Sequence, residues 1–431
     1  MTSHDIIIKG GRVIDPAHEL DGSTDIRISG GKIAEVGEGL DTDGSHVIDA
    51  TGKLVMPGLI DMHVHLREPG FEESETIKTG CEAAAAGGFT AVCCMPNTDP
   101  AIDDASRVQY VLNRAEGARA RVFPVGAVTR GRKGAEITEM ADMARAGAVA
   151  FSDDGSGIEN SRIMLNALRY SSMLRRPLLL HEEDEAFSPN AHMNESALSA
   201  QLGLGGLPRV AEEIPTMRDI AIAEYVGAPV HITHISTRGS VELIRAAKSR
   251  GSKVTCDVTP HHLTLTEELV ATFDTRYKMK PPLRTADDIE ALIEGLKDGT
   301  IDAIATDHAP HAPEIKEVEF TEAANGVTGL ETALGVIHGE LVEKGLLSWR
   351  DVVRLMSMNP AAILGIDGGS ISTGMVADLT VYDPVRPWVV DPAAMKSKSG
   401  NTAYFDWELP GTVVMTIVGG VVYENDLYVK P

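Results

Sequence analysis

Residues 56–70 read MPGLIDMHVHLREPG. Leu54, Val55, Met56, Leu59 and Ile60 make an apolar run punctuated by Pro57 and Gly58, which predicts one buried strand, Leu54 to His65, closing on His63 and His65. Side chains two apart on a strand share a face. Two imidazoles therefore leave the strand end in one direction, a poor arrangement for a core and a fitting start for a metal site. The plain alternative is two polar residues that cap a strand, so the rest of the chain has to supply the other ligands.

Downstream, strand-like runs recur at Phe89 to Asn97, Arg121 to Thr129, Ala148 to Asp154, Pro177 to Glu182, Val230 to Ser236, Lys253 to His261 and Ala303 to His308. Helix-like segments such as DDASRVQYVLNRAEGA, SRIMLNALRYSSMLRR and ADDIEALIEGLKDG separate them. Eight strands alternating with helices predict an α/β fold, a (β/α)8 TIM barrel; the open doubly wound sheet loses ground because no G-x-G-x-x-G follows a first strand. The ends read differently. Residues 5–15 and 25–37, and later 377–384 and 412–425, are β-rich and carry Gly-Gly turns, the chemistry of hairpins. The expected organisation is a small β-sandwich domain from residues 1–55 plus 367–431, with the barrel over 56–366. Two connections, Glu183 to Ile214 and Ala309 to Gly326, exceed usual loop lengths and are expected to shape a site at the barrel mouth.

Polar residues stand at the ends of these strands: His63 and His65, Asn97, Asp153 and Asp154, His181, His234, His261 and His262, and Asp307. In a barrel all these ends meet at one face. Four histidines with one or two carboxylates there suit two divalent ions such as Zn2+, about 3.5–4 Å apart, with a bridging water activated as nucleophile and Asp307 as ligand and proton shuttle. Asp153 and Asp154 are equivalent on alternation alone. His234 is preferred to His231 because it lies nearer the strand end. His261 and His262 are read as supporting or loop residues, and His4, His18, His46 and His338 as solvated or structural. Arg67, two residues beyond His65, offers a planar fork for a carboxylate. Asn97 and His311 add hydrogen-bonding groups to the same mouth.

The 431 residues carry a net charge of −24, which excludes a nucleic-acid or anionic-membrane partner because phosphate binding needs a basic footprint. With 43% hydrophobic and 24% charged residues, no membrane-length apolar run and no signal-peptide pattern, a cytoplasmic globular protein is expected. Cys81, Cys93, Cys94 and Cys256 show no paired spacing, and Cys93 and Cys94 read as small buried hydrophobes.

In order, MPGLIDMHVHLREPG, MPNTDP, FSDDGSG, LLLHEED, ITHIST, KPPLR, ATDHAPH and GLET resemble the amidohydrolase superfamily and, within it, the dihydroorotases of the long bacterial type, essentially end to end. That resemblance implies a metal-dependent barrel with a small β domain, and reversible closure of N-carbamoyl-L-aspartate to L-dihydroorotate in pyrimidine biosynthesis. It implies that His63 and His65 hold the more buried ion and His181 and His234 the other. Asp154 takes the bridge that many relatives give to a carboxylated lysine, and Asp307 acts as ligand and general acid/base. Arg67, Asn97 and His311 match substrate-binding positions. Lys280 stands where the family usually has asparagine, making a charged substrate contact, and EAANG at 322–326 replaces a proline-containing turn. A homodimer is expected, with a complex with aspartate transcarbamoylase left open. The competing readings are another cyclic amidase, allantoinase or hydantoinase, whose members generally lack an arginine at the position of Arg67, and a catalytically weak scaffold partner of that transcarbamoylase.

Overall fold

The computed structural model describes residues 5–187 and 189–425. His4 and the outermost ends of the expected small domain lie outside them. Eight parallel strands form the centre: β1 (Leu59–Val64), β2 (Phe89–Cys94), β3 (Arg121–Gly126), β4 (Ala150–Phe151), β5 (Leu179–Leu180), β6 (Val230–Ile232), β7 (Val254–Val258) and β8 (Ala303–Ile304). Each pairs with the next within β1–β4 and within β5–β8. A parallel bridge from Phe151 to Leu178 joins the two halves, and one from Val64 to His308 closes the ring. Burial on both faces explains why these strands read as unbroken apolar runs.

Helices cover the barrel, and their starts follow side-chain caps: Thr76 opens Ile77–Ala86 with a capping box, Asp104 caps Ala105–Arg114, and Thr237 caps Arg238–Ser249. Among the described residues no helix is long and apolar enough to cross a membrane.

The opening apolar run is two strands, not one. Leu54–Pro57 pairs with Arg12–Asp15 and Leu379–Asp383 in a six-stranded sheet built from both ends of the chain, whereas β1 begins after Gly58. A Cβ on Gly58 would lie 2.1 Å from the Thr90 side chain, so the chain changes sheets at a residue that only glycine fits. A four-stranded sheet of Ile6–Lys9, Asp25–Ser29, Lys32–Gly37 and His46–Asp49 faces the six-stranded one. Ile8, Ile26, Ile28 and Ile33 from the first meet Val13, Val55, Leu379 and Ile417 from the second in a shared apolar layer.

Two further expectations change. The stretch 183–214 contains a short strand pair, Met193–Asn194 with Gly206–Leu207, the helix Ala197–Leu202, and the start of the helix Val210–Val226. Pro215, just past the expected end of the long connection at Ile214, lies inside that last helix. His261 and His262 do not end a strand: β7 stops at Val258, and Thr259 caps the short helix Pro260–Thr264, its hydroxyl accepting from His262 N–H at 3.2 Å.

Candidate metal centre

β1 delivers His63 at its end and His65 just past it, where His65 N–H donates to His308 C=O at 2.8 Å and locks the two strand ends together. Around them gather Asp154 after β4, His181 after β5, His234 after β6 and Asp307 after β8, all buried. Asp154 sits at the centre. Its Oδ1 is 3.1 Å from His63 Nε2 and 3.7 Å from both His181 Nδ1 and His234 Nε2, while Oδ2 is 3.6 Å from His65 Nε2. Asp153 points away and accepts from Thr129 N–H at 2.9 Å and from the Thr129 hydroxyl. The choice left open by alternation therefore falls on Asp154. Asp307 Oδ1 lies 2.9 Å from His65 Nε2 and 3.5 Å from His63 Nε2.

Two ligand-like groups emerge, His63 with Asp154 and His234, and His63 with His65 and Asp307, each with its ligating atoms within 4.8 Å of one another. His63 Nε2 and Asp154 Oδ1 are buried and lack a hydrogen-bond partner among the described residues. Burial alone would push His63 down, yet Asp154 and then Asp307 outweigh it and hold its pKa at about 10. For His181, burial is likewise outweighed by Asp154 and Glu183, leaving it at about 9. Asp154 and Asp307 are driven the other way, below the usual carboxylate range, because the histidines overcome their burial. Such a pocket attracts positive charge, and divalent ions compete with protons for the same imidazole and carboxylate atoms. The donor set fits the two-metal expectation.

Less visible in the sequence are the groups that hold these side chains. His65 Nδ1 donates to Asn97 Oδ1 at 2.8 Å, which leaves Nε2 facing the centre, and Asn97 Nδ2 reaches Asp154 Oδ2 at 3.4 Å. Asp61 Oδ1 accepts from His63 N–H at 3.0 Å and from Thr306 N–H at 3.2 Å, tying β1 to the segment that carries Asp307. Asp257 Oδ1 accepts from His234 N–H at 2.7 Å while Oδ2 takes His231 Nε2–H at 2.8 Å. His231 is thus a brace behind His234. Asp61 could have been suspected, since it lies two before His63 on the same face; Asp257 carried no such signal. His234, Asp307 and Arg67 adopt φ values of 35°, 48° and 61°, left-handed conformations that non-glycine residues keep only where the surroundings enforce them.

A cavity of about 140 Å3 opens above the cluster, lined by Arg67, Asn97, Lys280, His311 and the Asn325–Gly326 turn. Arg67 Nε donates to Pro310 C=O at 3.0 Å, and its Nη2 lies 3.2 Å from His311 Nε2. Burial lowers its pKa to about 10, which leaves it charged at neutral pH. Among the described residues no carboxylate pairs with it. His311 stays neutral: burial, then Arg67 and Lys316, push it down to about 2. Lys280 Nζ is 3.0 Å from both Glu183 and Glu185, and Glu183 Oε2 is 3.5 Å from His181 Nε2. Lys280 thus reaches the mouth with its charge already matched. His261 and His262 stay outside the cluster, His262 bonding Pro281 C=O and Thr259. His338 is structural, with Nδ1 3.0 Å from the Tyr382 hydroxyl.

Residues 52–240 match a family model described as Dihydro-orotase-like, and residues 207–423 match one described as Amidohydrolase family. A dihydroorotase from a Geobacter species is 50% identical over 422 residues, covering 97% of this chain and 99% of that protein. The dihydroorotase of Pelotomaculum thermopropionicum is 50% identical over 425 residues, covering 99% of this chain and 100% of its own. Among solved structures, the L-hydantoinase (dihydropyrimidinase) from Arthrobacter aurescens superposes with a TM-score of 0.87 at 26% identity, over 98% of this chain and 96% of that one.

Proposed function

This chain belongs to the dihydroorotase family of amidohydrolases, and from that premise we propose that it closes N-carbamoyl-L-aspartate to L-dihydroorotate and reopens the ring, the cyclic-amide step of pyrimidine biosynthesis. The observation that carries this reading is Arg67, a half-buried guanidinium with no carboxylate partner among the described residues, beside the imidazole and carboxylate cluster. It suits the carboxylate that both substrate and product keep through the reaction.

His63, His65 and Asp307 would hold one divalent ion and His181 and His234 the other, with Asp154 between them and zinc the first candidate. When bound, the ions supply Lewis-acid polarisation of the amide carbonyl and activation of the attacking water. Arg67 clamps the carboxylate and fixes the ring's orientation, with His311 and the Asn325–Gly326 turn beside it. Asp307, ionised at neutral pH, takes the proton from the water that attacks the ring amide and returns it to the departing nitrogen. In the closing direction it takes a proton from the ureido nitrogen as that nitrogen attacks the side-chain carboxyl carbon. It then delivers that proton to the leaving oxygen, which departs as hydroxide and takes up one further proton from solvent to become water.

The likeness to the L-hydantoinase supports a second reading, cleavage of a cyclic amide that has no carboxylate. Such a substrate leaves the Arg67 charge without a carboxylate partner, at a cost of about 1–3 kcal/mol for a hydrogen bond to a charged group not made. Dihydroorotate hydrolysis by the purified chain, with elemental analysis of the same sample, separates the two. Turnover of dihydroorotate with bound divalent metal is expected; turnover of hydantoin or allantoin alone would reverse the ranking.

A further inference from the structure

The loop that follows Asp307 carries a buried cation that no catalytic step uses. Lys316 is 2% exposed, and its Nζ donates to Lys278 C=O at 3.0 Å and to Ala324 C=O at 2.8 Å. No carboxylate pairs with it among the described residues. A buried ammonium held only by carbonyls is costly, because its lost hydration is not offset by an opposite charge. The place it occupies is specific. Ala324 N–H donates to Ile315 C=O and Gly326 N–H to Lys278 C=O, each at 3.0 Å, so Lys316 pins from beneath the turn whose Asn325 and Gly326 line the cavity. Asn325 C=O in turn accepts from His311 at 2.7 Å, beside Arg67. Gly326 adopts φ 119°, and a Cβ there would lie 2.5 Å from that of Ala309, so the turn has little room to relax.

We propose that Lys316 is a positioning residue that shapes the substrate mouth through the Ala323–Gly326 turn, and that this turn orders best when the buried amine is neutral. The proposal rests on the dihydroorotate reading of the mouth only for its kinetic consequence. Burial, reinforced by Lys278, lowers the Lys316 pKa to about 7, with Asp274 opposing. The charged and titratable groups that face it are few. Lys278 and Asp274 come from the preceding segment, with Asp274 tied to Arg276 at 2.9 Å, and His311 comes from its own loop. Glu322 acts on Lys278. A base whose pKa is depressed in the ordered turn binds its proton more weakly there than in the open turn. Raising the pH through that value therefore favours order, and the neutral amine still has two hydrogens for the two carbonyls.

Hydrogen exchange of the Ala324 and Gly326 amides in the metal-loaded chain tests this without substrate. After correction for the intrinsic pH dependence of exchange, protection is expected to rise about 10-fold from about pH 6 to about pH 8. Flat protection would overturn the proposal. In Lys316→Met that dependence should vanish. KM for dihydroorotate should rise about 10-fold, with kcat within about 2-fold, through loss of the hydrogen bond from the amine to Ala324 C=O. An unchanged KM, or kcat falling in step with KM, would count against positioning. If the wild type does not turn over dihydroorotate, the proposed function fails while the exchange measurement still decides the role of Lys316.

Discussion

The floor of the barrel mouth and its rim are built by different physics. On the floor every candidate ligand leaves the end of a strand buried on both faces, and several are held a second time from behind: His63 by Asp61, His65 by Asn97, His234 by Asp257. On the rim Arg67, His311, Lys280 and the Ala323–Gly326 turn lie in loops and are tied through carbonyls, through one another, or through partly exposed ion pairs. A floor so constrained can hold atoms in place before any ligand arrives, which is what metal coordination and proton transfer require. A rim held by loops can differ between relatives while the chemistry beneath it stays the same.

The largest expected effects fall on the floor. His63→Ala removes the imidazole shared by both ligand groups, so metal content and activity should be lost together. Elemental analysis beside a turnover assay checks this, and a variant with full metal and full turnover would break the division between floor and rim. Asp307→Asn keeps the shape and removes the proton acceptor. Turnover should fall by roughly 10²–10⁴ while the thermal midpoint stays close to that of the wild type. A fall of less than tenfold would move the proton transfer to another residue.

Much of the floor was legible because strands buried on both faces are apolar throughout, and a polar residue at their ends stands out. His63, His65, Asp154, His181, His234 and Asp307 all come together in the structure. Between Asp153 and Asp154 the alternation was silent, because β4 is only two residues long and the choice depends on the turn after it. The Leu54–His65 run concealed a change of sheet, since a strand of the terminal sheet and a strand of the barrel are equally apolar. His261 and His262 follow an apolar run and so read as a strand end, although Thr259-Pro260 is the signature of a helix start. Rim contacts were the least legible. Lys280 meets Glu185 across 95 residues of sequence, a pairing set by how two loops fold over the mouth.

Arg67→Met should act at the rim with an effect of intermediate size. Losing the proposed hydrogen bond from the guanidinium to the substrate carboxylate costs about 1.5–3 kcal/mol, or roughly 10–100-fold in KM, with kcat less affected. Steady-state kinetics with dihydroorotate measures it, and an unchanged KM would remove Arg67 from carboxylate binding. Asp257→Ala sharpens the comparison from the other side, because Asp257 does not line the cavity and braces His234 and His231 from behind. Metal affinity should weaken about 10-fold, the low end for a residue behind a ligand, as read by chelator competition. Asp257→Asn keeps an acceptor for His234 N–H and should fall between Ala and the wild type.

The smallest effect is expected for Lys280→Asn, which removes two ion pairs in a single substitution. Lys280 is 27% exposed on its side chain and Glu185 57%, so solvent screens that pair to about 0–1 kcal/mol, and the buried Glu183 keeps His181 as a neighbour when Lys280 is lost. KM should therefore change by no more than about 3-fold. Glu183→Gln should do more, because Glu183 also faces His181 Nε2 at 3.5 Å and its charge helps to fix which nitrogen of that ring meets the metal position. Measured side by side for KM and for metal affinity, the pair tests where the rim ends. If Lys280→Asn weakens metal binding as much as Asp257→Ala does, then the charge of Lys280 reaches His181 through Glu183, and the loop belongs energetically to the floor.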